Sequence, residues 1–135
     1  MKSKLVLGTE DVKKILAAAE AHALAHQWAV SIAVVDDGGH LLGALRGDGA
    51  APISAYIAAA KARTSALGRR ESRNYEELIN NGRHSFLSVP ELEALLEGGV
   101  PVLADGQVVG AVGVSGVKSS EDAEIARAGI GALAL

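Results

Sequence analysis

The sequence predicts an α+β fold in which helices flank an antiparallel sheet. Apolar runs rich in Val and Ile are interrupted twice by Asp-Gly turn signals, at Asp37-Gly38-Gly39 and at Asp105-Gly106. Helical periodicity lies before, between and after these hairpins, never inside them, so each strand pair is joined by a tight turn and runs antiparallel. The 135 residues show no linker, repeat or low-complexity segment, which fits one domain spanning 1–135.

Each element has its own signal. In "TEDVKKILAAAEAHALAHQ" Val12, Ile15, Leu16, Ala19 and Ala23 recur at helical spacing, and Glu10 and Asp11 complement the positive end of a helix over 9–27. "VSIAVVDDGGHLLGALR" is the first hairpin; Asp36 and Asp37 belong to its turn, where Asp bonds its own backbone. Pro52 starts an Ala-rich helix over 52–67 that ends or kinks at Gly68, and a second helical piece covers 71–81. Pro90 opens a short helix in "PELEALLEG". The second hairpin spans 100–116, and its last strand sets Val108, Gly110, Val112 and Val114 against Val109, Ala111, Gly113 and Ser115. Small residues there let a helix or a ligand approach the backbone. A final helix occupies 119–135, with Ser119 and Asp122 at capping-box spacing.

Composition narrows function. Aromatic residues make up only 3% of the chain, so the core is Ala, Val, Leu and Ile. The absence of cysteine removes disulfides, thiolate nucleophiles, iron–sulfur clusters and Cys-ligated zinc. A net charge of −3 with few stacking aromatics argues against a nucleic-acid partner. The apolar run before Thr9 is too short for a signal peptide or a membrane span, so the expectation is a soluble cytoplasmic protein with no membrane partner.

Against that acidic background, "KARTSALGRRESR" concentrates Lys61, Arg63, Arg69, Arg70 and Arg73, opposed locally only by Glu71. Either these are a solvated face with surface ion pairs, or Lys61, Arg63 and Arg70 hold an anion, since the planar guanidinium fork matches a carboxylate. Gly113 and Ser115, at a small-residue strand end running into a helix, offer backbone N–H groups to the same anion. His22 and His26 stand four apart on the first helix; no third ligand accompanies them, and no metal is assigned. His40 fixes its turn or faces water.

"VVDDGGHLLGALRGDGA", "KARTSAL" and "GGVPVLADGQVVGAVGVSG", in that order over nearly the whole chain, resemble the haem-binding GlcG/HbpS-like family, also known as the haem-degrading or PduO C-terminal-like domain. The resemblance implies a five-stranded antiparallel sheet flanked by α-helices and a homo-oligomer. It implies haem as a cofactor, with His22 its axial ligand, and places Asp48 of "GDGA" near the ligand cleft. The segment "LGRRESRNYEELINNGRHSFLS" departs from the general family pattern and is similar to a branch of hydroxylaminobenzoate lyases.

The reading that joins these is a protein binding a small, flat, anionic ligand, haem or an aromatic carboxylate, in an arginine-lined cleft between the sheet and the "KART…RRES" helices. The alternative is a cofactor-independent lyase turning 4-hydroxylaminobenzoate into protocatechuate and ammonia, with Glu71, Tyr75 and His84 dividing the acid and base roles. A non-catalytic sensory or structural domain is the third possibility.

Overall fold

Two hairpins supply the whole sheet of the computed structural model, which describes residues 1–135. β1 (Ser31–Asp36) and β2 (Leu41–Arg46) form the first, β3 (Gly99–Ala104) and β4 (Gln107–Ser115) the second. β1 and β4 pair antiparallel in the middle, Ser31 opposite Ser115 and Asp36 opposite Gly110, giving the order β2-β1-β4-β3. Both turns obey their sequence signals. Asp105 and Gly106 each take positive φ, 51° and 74°, as the two central positions of a tight hairpin of the primed kind require. At the first turn, Oδ1 of Asp36 accepts hydrogen bonds from the backbone N–H of Gly38 (2.9 Å) and His40 (3.0 Å). Burial raises the Asp36 pKa, but these bonds and the His40 side chain outweigh it and leave the carboxyl below its usual range.

The sheet has four strands, not the five expected. Residues 1–8 form no ladder; they attach through side chains, with Leu7 packed on the core and Lys4 Nζ 2.7 Å from Asp37 Oδ2. That hydrogen bond from Lys4 holds the Asp37 carboxyl below its ordinary range.

Helices α1 (Thr9–Ala25), α2 (Ile53–Gly68), α3 (Arg73–Asn80) and α4 (Ser119–Ile130) fall where periodicity places them, the last ending earlier than expected in a Gly-rich stretch. The helix expected at 90–98 is absent, and a 3-10 turn at His84–Ser88 precedes it instead. Neighbouring elements satisfy its backbone. The Ser72 hydroxyl donates to the Leu96 carbonyl, and the Glu76 carboxylate accepts the Glu97 N–H at 3.1 Å. Leu95 is buried, and Glu91 has φ 69°, which interrupts any helix.

Strand alternation divides the chain into three layers. Ile32 and Val34 of β1, with Val112 and Val114 of β4, face α1 and α4, where Ile15, Ala19, Ala23, Ile125 and Ala126 complete the larger core. Ala33, Val35 and Ala111 face α2, whose contribution is Ala58, Ala62 and Ala66. The glycines make this second layer thin. A Cβ on Gly113 would overlap the Ala58 carbonyl and lie 2.9 Å from the Ala62 Cβ; one on Gly99 would overlap the Lys61 carbonyl. The small side chains of β4 therefore seat a helix.

One polar link ties α2 to α4. Lys61 is 2% exposed, and its Nζ donates to the Val114 carbonyl and to Oδ2 of Asp122, each at 3.0 Å. Oδ1 of Asp122 accepts the Val117 N–H at 3.1 Å, so both carboxylate oxygens are used. Burial pushes the Asp122 pKa up, and Lys61 opposes that rise. Nearby on α2, Thr64 Oγ1 is buried without a hydrogen-bond partner. Thr64→Val keeps the shape and removes that desolvated hydroxyl, so stability should be unchanged or higher by up to about 1 kcal/mol. A urea melt showing a clear loss would mean that the hydroxyl has a partner. No helix is long and apolar enough to cross a membrane.

Candidate functional site

The layering separates residues that the sequence grouped together. His22 rides on α1, while Arg63 belongs to α2, on the opposite face of the sheet. One cleft cannot hold a haem iron on His22 and carboxylates on these arginines within a single chain.

The basic run itself disperses. Lys61 points into the core, as described. Arg63 pairs with Glu91 and donates through Nε to its carbonyl at 3.3 Å. Arg69 ends α2 with φ 56° and bonds the carbonyls of Ala66 and Asp37. Arg70 donates to the Gly68 carbonyl at 3.1 Å and lies over the Tyr75 ring, 5.4 Å from its centre. Arg73 pairs with Glu77 at 2.7 Å along α3. Each guanidinium of the run thus has a partner close at hand.

Arg63 alone of this run borders the largest groove, about 730 Å³, between α2 and the β1–β2 hairpin. Val35, Leu41, Ala44 and Ala59 form its apolar floor, and His40, Tyr56, Glu91 and Glu93 its polar lining. One arginine already paired with a glutamate, beside a second glutamate, gives this groove no surplus of positive charge for an anion.

Gly113 and Ser115 are covered by α2, and their stretch is paired on both sides. Ser115 aligns with Ser31 of β1, and the Val114 N–H donates to the Gly98 carbonyl at 3.0 Å. The strand end therefore presents no free cradle for a carboxylate. The three residues expected to divide acid and base work also stay apart from the groove. Glu71 pairs with Arg127; Tyr75 is buried, its hydroxyl against Gly68 and its ring 5.7 Å from Phe86; His84 is exposed at the start of the 3-10 turn. None of the main cavities is lined by Glu71, Tyr75 or His84.

The other face of the sheet gathers a different constellation. At the end of α1 the rings of His22 and His26 lie 4.6 Å apart, and Trp28 stacks on His26 at 4.4 Å with planes 19° from parallel. The chain turns sharply between them, with Gln27 at φ 59°, and that turn brings Trp28 back onto the helix it has just left. Nδ1 of His26 is 2.9 Å from the His22 carbonyl, an acceptor only, so Nδ1 carries the proton. In the neutral ring Nε2 is then left with its lone pair, the form in which imidazole binds a metal. His22 instead directs Nε2 at Oε2 of Glu124 in α4, 2.6 Å away.

Trp28 also lines a pocket of about 240 Å³ with Leu24, Val30, Ile32 and Leu45. At its mouth stand Arg46, exposed and outside every ion pair of the chain, and Asp48. Asp48 thus borders a cleft, though the one beside α1 rather than the one beside α2.

Comparison with known proteins fixes the lineage. Residues 7–131 match the family model described as haem degrading protein HbpS-like. The chain belongs to the HbpS-like family. Protein GlcG of Escherichia coli strain K12 is 56% identical over 115 residues, 85% of each chain. An uncharacterized 15.0 kDa protein from the dhaT-dhaS intergenic region of Citrobacter freundii is 34% identical, over 82% of this chain and 80% of its own length. Among solved HbpS-like structures, a double mutant of Streptomyces reticuli HbpS superimposes with a TM-score of 0.91 at 32% identity, over 100% of this chain and 92% of that one. A solved PduOC–haem complex matches with a TM-score of 0.87 over 96% of both chains; at 24% identity that likeness speaks to the fold. In this HbpS-like chain the histidine pair was visible as a spacing. Glu124, Trp28 and Arg46 were not singled out, because nothing local to them marks a site.

Proposed function

We propose that this chain binds haem on the α1 side of its sheet, beside Trp28, with the His22/His26 pair supplying the iron ligand. The observation that carries this reading is the fixed tautomer of His26, whose Nε2 is left as a free donor beside a stacked indole. His22 was the histidine favoured by resemblance. Its Nε2 is engaged by Glu124, which makes His26 the better donor in this geometry. The surroundings fit the group chemically. Trp28 joins the histidine pair to the adjoining pocket, where Leu24 and Leu45 offer apolar surface to a flat macrocycle and Arg46, with Glu20 and Asp48 in the same lining, offers a guanidinium to a propionate. The family description, and the existence of a haem complex on this fold, support the same ligand. Haem, when bound, supplies a redox-active iron. This chain's own residues do the rest: His26 offers the donor atom, His22 orients it through its carbonyl, and Trp28 walls the ring.

Titration with haemin tests it. A saturable, shifted Soret band is expected, lost in His26→Ala and weakened several-fold in Arg46→Ala. A haemin spectrum identical in wild type and His26→Ala would remove His26 from the iron.

A further inference from the structure

We infer that His22, His26 and Glu124 form a site for one divalent transition-metal ion of the Zn(II) or Fe(II) class, bound directly and without a porphyrin. The one ligand atom offered by each of these residues lies within 4.8 Å of the other two, a spread that small side-chain movements can close around one ion. Two imidazoles and one carboxylate make up a donor set that such ions favour over calcium or magnesium, which prefer all-oxygen shells.

Three features go beyond a chance gathering of polar groups. The histidines are four apart on one helix face, so the backbone of α1 sets their spacing. The carboxylate comes from a different element, and α1 and α4 are locked together by Ile15, Ala19, Ile125 and Ala126, each at 0% exposure. The ring of His26 is held twice, by its hydrogen bond to the His22 carbonyl and by Trp28 stacked on its face. A backbone carbonyl on the far nitrogen is the usual second partner of a metal-binding imidazole. His26 and Glu124 are exposed, so water completes the coordination and the site is open to exchange.

This site shares its histidines with the haem reading but does not rest on it: Glu124 is a ligand to the ion alone, whereas in the haem reading it only engages His22. The two are separated by using two probes on the intact chain. Calorimetric titration with Zn(II) should give one site per chain, and Co(II) should develop visible ligand-field bands. Glu124→Gln and His22→Ala should each weaken Zn(II) at least about tenfold, since loss even of an orienting partner costs metal affinity on that scale. Unaltered melting of Glu124→Gln would show that the loss is local, and a variant that fails to melt like wild type is replaced by Glu124→Asp, which should retain binding in weakened form. Absence of a saturable Zn(II) site in the wild type, or equal affinity in wild type and Glu124→Gln, overturns the proposal. Haemin titration of the same samples decides the haem reading separately, whatever Zn(II) does.

Discussion

Asp122→Ala should destabilise the chain by about 3–5 kcal/mol, the usual cost of removing one member of a buried ion pair. The substitution leaves the Lys61 ammonium beside Gly98 and Val114 with a single carbonyl acceptor, and it strips the Val117 N–H of its partner. Lys61→Met tests the other side and should depend on pH. In the native chain burial already raises the Asp122 pKa against the pull of Lys61. Without Lys61 the folded-state pKa rises further above its unfolded value. A raised carboxyl pKa favours the folded state only while the group is protonated, so stability falls as pH rises through the unfolded value and on to the folded one. The deficit of Lys61→Met relative to wild type should therefore be smallest near about pH 4 and largest near about pH 7. Urea melts at the two pH values read it, and an equal deficit at both would mean that Asp122 stays ionised without its partner. The paired exchange Lys61→Met with Asp122→Leu should recover most of the loss, because two apolar groups leave no buried charge.

Gly113→Val carries the second large effect. The first added carbon overlaps the Ala58 carbonyl and crowds the Ala62 backbone nitrogen at 2.5 Å, so α2 must lift from the sheet or slide along it. Overpacking of this kind costs about 1–3 kcal/mol for an added methyl or so, and the branched side chain belongs at the upper end or above. Gly106→Ala gives a useful contrast. Its Cβ meets nothing within 4 Å, and the cost, about 1–2 kcal/mol, is that of a left-handed φ of 74° alone. Thermal melts that ranked the two substitutions equally would show that the helix seat yields more than its geometry implies.

Much of the fold was legible because its signals are local. Asp105-Gly106 fixes a hairpin by backbone preference within two residues, and the Val12–Ile15–Ala19–Ala23 repeat fixes the buried stripe of α1 within four turns. The alternation of β4 held for Val112 and Val114 on one face against Ala111 on the other, but Val109, expected beside Ala111, joins the Val112 face because the β3–β4 register shifts between Val102 and Leu103. The fifth strand came from resemblance alone, and no segment outside the two hairpins carries strand signals. The helix at 90–98 failed because Ser72 and Glu76 capture its backbone groups from a neighbouring element, which no propensity registers.

The site was less legible for the same reason. The arginine run looked like a shared pocket because charge density is visible in one dimension, whereas the partners that disperse it are not. Glu91 is 28 residues from Arg63, and Asp122 is 61 from Lys61. His22 and His26 could be read from their spacing. Glu124, 102 residues further on, becomes their companion only after α4 docks on α1.

The seat of α2 has a mechanical consequence. A helix lying on Gly and Ala has almost no rotamers beneath it to rearrange, so it meets the sheet as one hard surface on another. Adaptation to a bound molecule must then come from the opposite slab, where branched side chains can exchange positions. Ligand-dependent differences in crystals of this domain should accordingly be concentrated in α1 and α4, with α2 serving as the fixed frame against which they are measured.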